Sequence, residues 1–114
     1  MDKLKIIGNA SLNGSINISG AKNAALPIMV ASLLSENGLV LKNLPVLQDI
    51  STMKLLLESF GIKIKEVKSQ TYFNSTQIKN HTANYDLVRK MRASILVLGP
   101  LIARFKKAKI SLPG

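Results

Sequence analysis

The segment Ile18-Ser19-Gly20-Ala21-Lys22-Asn23-Ala24-Ala25-Leu26-Pro27 places a lysine and a glycine where a strand-like pattern gives way to helical spacing. The free N–H groups and the dipole of a helix N-terminus attract anions and repel cations, so Lys22 is out of place there unless an anion binds. The plain alternative is that Lys22 points into solvent while Asn23 or Ser19 caps the helix. Gly20 adds little by itself, because neither the dinucleotide-binding glycine fingerprint nor the P-loop pattern surrounds it.

A second cluster, Asp86-Leu87-Val88-Arg89-Lys90-Met91-Arg92-Ala93-Ser94, sets Arg89 and Arg92 on one helical face and holds two of the chain's three arginines. The planar fork of arginine suits phosphates and carboxylates. The alternative is an exposed face on which Asp86 pairs with Arg89 or Lys90. Arg104 reads as the solvent-side end of an apolar run, and His81, the one histidine, as a surface residue in a polar loop. Six scattered carboxylates, one histidine and no cysteine show no metal-ligand spacing, so neither a metal nor another cofactor is expected. A nucleophilic triad fails too, since its base would have to be His81. No catalytic constellation is complete.

The 114 residues allow one folding unit, and 46% hydrophobic content with 4 Pro and 7 Gly marks it as globular. The formal net charge of +10 raises three anionic partners: nucleic acid, a membrane surface or a phosphorylated small molecule. A basic nucleic-acid-binding module is the alternative function. It finds only two Tyr, three Phe and no Trp for stacking, and no dense basic helix, so no nucleic-acid partner is expected. Without cysteine a disulfide framework is ruled out. The N-terminus lacks a signal-peptide pattern, and the apolar run from Ala93 to Ala103 is about half the ~20 residues of a membrane span. A cytoplasmic protein with no membrane partner is expected.

Periodicity predicts the elements that carry these residues. Leu4 to Ile7 and Ser15 to Ser19 read as strands joined by a hairpin turn at Asn13-Gly14. A helix with Leu26, Met29, Val30, Leu33 and Leu34 on one face should stop near Asn37-Gly38. Leu39 to Leu41 reads as a strand. A second helix, capped by Asp49 and closed by Gly61, presents Ile50, Met53, Leu56, Leu57 and Phe60. Ile62 to Val67 and Thr71 to Phe73 alternate as strands, and Asn74 to Asn84 is mainly loop. A third helix capped by Asp86 should run through Leu98, with a kink or break at Gly99-Pro100, before a strand from Ala108 to Leu112. The sum is an α/β (α+β) fold of βαβ-type units, with helices over one face of a mixed sheet.

The stretch from Ile18 to Pro27, together with Tyr85-Asp86-Leu87-Val88-Arg89, Met91-Arg92-Ala93-Ser94, Leu98-Gly99-Pro100-Leu101 and Ser111-Leu112-Pro113-Gly114, resembles consecutive signatures of the UDP-N-acetylglucosamine enolpyruvyl transferase family. The sister enolpyruvyl-shikimate-phosphate synthases carry a Ser-Lys-Ser type motif where this chain has Ala21-Lys22-Asn23, which makes them the second choice. The resemblance implies a partial inside-out α/β barrel. Residues 1–21 would be opening strands belonging to a second domain, and residues 22–114 the incomplete first part of the N-terminal domain.

It also implies transfer of the enolpyruvyl group of phosphoenolpyruvate to the 3′-hydroxyl of UDP-N-acetylglucosamine, with release of phosphate. That reaction is the first committed step of peptidoglycan synthesis, in a family targeted by fosfomycin. Lys22 and Asn23 would bind phosphoenolpyruvate, and Arg92 the sugar nucleotide. The family's general-acid cysteine would lie just beyond Gly114, so no catalytic residue falls within the chain. The 114 residues alone are expected to be inactive and to need a C-terminal remainder as partner. Apolar surface is expected on the helices Leu26 to Leu34 and Leu87 to Leu101, beside unpaired sheet edges.

Overall fold

Helix α2, Gln48–Phe60, shows most directly why this chain folds. Its apolar residues recur every three or four positions, so Ile50, Met53, Leu56, Leu57 and Phe60 share one face, and all five are buried. Gly61 ends it in the left-handed conformation at φ 113°, where a Cβ would meet the Gln77 carbonyl oxygen at 2.6 Å. Asp49 lies inside the first turn and does not cap it; the capping position is Leu47, which has no side chain able to do so.

The computed structural model describes residues 2–111. Helix α1, Lys22–Val30, runs into a 3-10 turn, Ala31–Leu34, and is followed by strand β1, Leu39–Lys42. After α2 come strands β2, Lys63–Val67, and β3, Gln70–Asn74. A short helix α3, Tyr85–Val88, leads to a second 3-10 segment, Arg92–Val97, and to α4, Leu98–Phe105.

The three strands form one sheet in the order β1-β3-β2, with both ladders antiparallel. This corrects the mixed sheet expected from the βαβ pattern. Strands β1 and β2 do point the same way across the α2 crossover, but β3 inserts between them, so they never pair. A single parallel bridge, Thr82 to Lys109, lies outside the sheet. It is all that forms, among the described residues, of the strand expected from Ala108; Leu112 lies outside those residues. Leu39, Phe73 and Ile64 stand in register on the inner face toward α2, while Val40, Tyr72 and Lys65 form the outer row.

The helices close the core. Leu26, Met29, Val30 and Leu33 are buried, as are Val88, Met91, Val97 and Leu101, so the apolar surface expected on the helices Leu26 to Leu34 and Leu87 to Leu101 is confined to a few positions. The exposed remainder on these elements is Ile28, Leu34, Ile95, Leu96 and Ile102. The third helix breaks earlier than expected. It stops after Val88, turns at Arg89 and Lys90, is extended at Met91, and Gly99-Pro100 falls in the first turn of α4, where a missing proline N–H costs nothing. The α3 cap is Asn84 rather than Asp86; its Oδ1 accepts from the backbone N–H of Asp86 at 2.9 Å and of Leu87 at 3.4 Å.

Residues 2–20 form no helix or strand, which corrects the expected hairpin at Asn13-Gly14. Leu4, Ile6, Ile7, Leu12, Ile16 and Ile18 are all more than 80% exposed. A two-stranded ribbon with no surface to pack on is marginal in water, so alternation alone does not hold it. The segment touches the body at one point. Asn43, itself left-handed at φ 61°, donates its side-chain amide to the Ile18 carbonyl at 3.1 Å and accepts the Gly20 N–H on its own carbonyl at 3.2 Å.

Candidate functional site

Lys22 opens α1 at its first helical position. The capping residue is Ala21, so neither Ser19 nor Asn23 caps the helix, and no acidic residue occupies the first turn. The ammonium instead reaches across to Asp49 in the first turn of α2, with Nζ to Oδ2 at 3.1 Å. A cation at a helix start is disfavoured by about 0.3–1 kcal/mol, and an exposed ion pair returns about 0.2–1 kcal/mol. The two effects are of one size, so the lysine is held but not saturated. The backbone around it is fixed more firmly: a Cβ on Gly20 would lie 2.3 Å from the Asn43 carbonyl oxygen, so only glycine lets the chain pass that close before it enters α1.

Asn23 follows on the exposed side of the same turn. Arg92 begins the second 3-10 segment and is also exposed. That segment packs against α1, and buried Met91 and Ser94 flank Arg92; the Ser94 hydroxyl donates to the Met91 carbonyl at 2.7 Å. The structure thus brings Lys22 and Asn23 to one helix start and puts Arg92 on a neighbouring element. No hydrogen bond or ion pair joins Arg92 to them among the described residues. Arg89 is engaged by Asp86 at 3.7 Å, the pairing that the sequence offered as its plain alternative.

Two hollows are lined in part by the Asn43 to Pro45 segment. A small one of about 140 Å³ lies among Gly20, Ala21, Ala24, Ile28 and the Leu41 to Pro45 segment. A larger one of about 460 Å³ is lined by Asn43, Ser51, Lys54, Glu66, Lys68 and Ser69, with Lys54 and Glu66 paired across it. Neither is lined by Lys22, Asn23 or Arg92.

Three residues matter more than their sequence positions suggested. Asp49 was readable as an acidic first-turn residue, but its partner lies 27 positions back, from 22 to 49, beyond any local pattern. Arg104 is no mere solvent-side end: Nη1 donates to the Leu33 carbonyl at 3.0 Å, and its guanidinium carbon lies 5.5 Å from the Phe105 ring centre. His81 is half-buried, edge-on to Phe105 with ring centres 6.1 Å apart, and its Nδ1 has no hydrogen-bond partner among the described residues. No group of three or more potential ligands that could hold a metal occurs among the described residues. No helix among them is long and apolar enough to cross a membrane.

Comparison with known proteins gives this geometry a setting. The chain is 57% identical to the UDP-N-acetylglucosamine 1-carboxyvinyltransferase of Rickettsia canadensis, and 54% identical to the proteins of that name from Wolinella succinogenes and Helicobacter pylori. All of this chain is aligned in each case, and it spans 27–28% of those relatives' length. Among solved structures, the enolpyruvyl transferase NikO from Streptomyces tendae superposes with a TM-score of 0.72 over 85% of this chain and 23% of its own; at 17% identity this likeness speaks for the fold alone. The profile of the EPSP synthase (3-phosphoshikimate 1-carboxyvinyltransferase) family matches residues 6–114, nearly the whole sequence, and the chain belongs to that family.

Proposed function

We propose that these residues are part of an enolpyruvyl transferase that moves the enolpyruvyl group of phosphoenolpyruvate to the 3′-hydroxyl of UDP-N-acetylglucosamine and releases phosphate. The observation that carries the reading is the 53–57% identity, along the entire chain, to relatives bearing that activity's name. The geometry supports it. Lys22 presents an incompletely neutralised cation at the start of α1, beside exposed Asn23, and Arg92 is exposed on the adjoining 3-10 segment. Such groups suit a polyanionic pair of substrates, because charge developing during phosphate departure is stabilised by donors already in place.

In this reading Lys22 and Asn23 meet phosphoenolpyruvate and Arg92 the sugar nucleotide. Residues 1–21 belong to a second domain and residues 22–114 begin the N-terminal one. Proton transfer is left to the remainder of the enzyme, including a cysteine after Gly114. The setting is the cytoplasm, at the start of peptidoglycan synthesis. Ala21-Lys22-Asn23, rather than a Ser-Lys-Ser type motif, favours the sugar nucleotide over shikimate 3-phosphate as acceptor.

The test is a full-length chimaera in which these 114 residues replace the matching part of the Wolinella succinogenes relative. Phosphate release should require phosphoenolpyruvate and UDP-N-acetylglucosamine together, and should fall at least about 100-fold in Lys22→Ala, the scale of losing one well-placed donor to developing charge. Turnover with shikimate 3-phosphate instead, or an unaffected Lys22→Ala variant, would overturn the reading.

A further inference from the structure

We propose that Asp49 is a positioning residue for the anionic substrate, acting through Lys22; this rests on the functional reading above. Lys22 is the first residue of α1, where the helix dipole pushes its ammonium away. Asp49 lies in the first turn of α2, where the dipole holds a carboxylate in place. The two helices pack on each other, and buried Leu26 and Ile50 fix the backbone beside each partner. The carboxylate is therefore the settled member of the pair and the long, flexible lysine the one that is steered.

Oδ2 engages the ammonium at 3.1 Å. An ammonium has three donors, so one is spent on Asp49 and two are left for the oxygens of an arriving phosphate or carboxylate. With side chains 42% and 32% exposed, the pair is open enough for such an anion to approach. No other carboxylate lies within ion-pair distance of Lys22 among the described residues; Glu66 is engaged by Lys54 and Asp86 by Arg89. Asp49 thus keeps Lys22 over the start of α1 when the site is empty and sets the direction in which its remaining donors point.

The experiment uses the full-length chimaera. Asp49→Asn should raise KM for phosphoenolpyruvate about 5- to 10-fold while kcat stays within about 2-fold, the pattern of weakened binding without lost chemistry. Asp49→Glu should recover most of the loss. In a Lys22→Ala background, Asp49→Asn should change nothing further, because a residue acting through another has no effect once that other is gone.

A crystal structure of the substrate-free Asp49→Asn chimaera supplies a readout independent of turnover: the Lys22 ammonium should leave its place beside residue 49. Independent, multiplying effects of the two substitutions, a lowered KM in Asp49→Asn, or an unmoved Lys22 in the crystal would each overturn the proposal. An inactive parent chimaera would refute the functional reading instead, and the crystal would still decide whether Asp49 steers Lys22.

Discussion

Two regions of this chain carry the same kind of apolar pattern and meet opposite ends. In the body, Leu39, Ile64 and Phe73 alternate with polar neighbours and line up under α2. In the opening segment Ile16 and Ile18 alternate just as regularly, yet both are at least 85% exposed. Local pattern states which face of a strand wants burial, and only a partner surface provides it. The body has that surface because α2 lies across the sheet. The opening segment, under the domain division proposed above, would find it in a second domain.

The largest expected effect tests the body. Phe60 is fully buried at the end of α2, and Phe60→Ala should lower the stability of the chain by about 3–5 kcal/mol, read by urea unfolding, from lost transfer energy and the cavity left behind. A loss below about 1 kcal/mol would mean the body is no better packed than the tail. Gly20→Ala comes next, at the joint between the regions. Relieving a 2.3 Å approach to the Asn43 carbonyl requires the backbone to shift, and a cost of about 1–3 kcal/mol is expected by the same measurement. The smallest effect sharpens the contrast. Ile16→Ser should change the stability of the chain by less than about 0.5 kcal/mol, as for other exposed positions, but should destabilise the full-length chimaera measurably. Equal, negligible effects in both would show that the opening segment has no burial partner in the longer protein either.

Much of the body was legible from sequence. The α2 face, its Gly61 stop and the alternation of β2 and β3 follow from spacing and from one glycine, because each is decided within a few residues. What escaped was set by contacts between distant residues. Insertion of β3 between β1 and β2 is a choice of neighbours that no periodicity encodes. The break from Arg89 to Met91 comes where the chain leaves α3 to send Arg92–Val97 across α1, ahead of the proline that drew attention. At the site, Lys22 was recognisable because a cation at a helix start is locally odd. Asp49 looked like an ordinary cap because its partner lies on another helix. Arg104 reads as solvent-facing until the Leu33 carbonyl it bonds is known.

The central place of β3 also governs the order in which this structure can arise during synthesis. Of this sheet's three strands the last to leave the ribosome is the one both others require, so β1 and the α2 crossover must wait without ladder partners until Gln70–Asn74 has emerged. The hairpin of β2 with β3 closes locally; Leu39 then reaches across to Phe73 in a long-range closure that carries the entropic cost of the whole crossover. A nascent chain stalled before Phe73 would expose the α2 face and an unpaired β1 together, a state suited to capture by a chaperone or by another copy of itself.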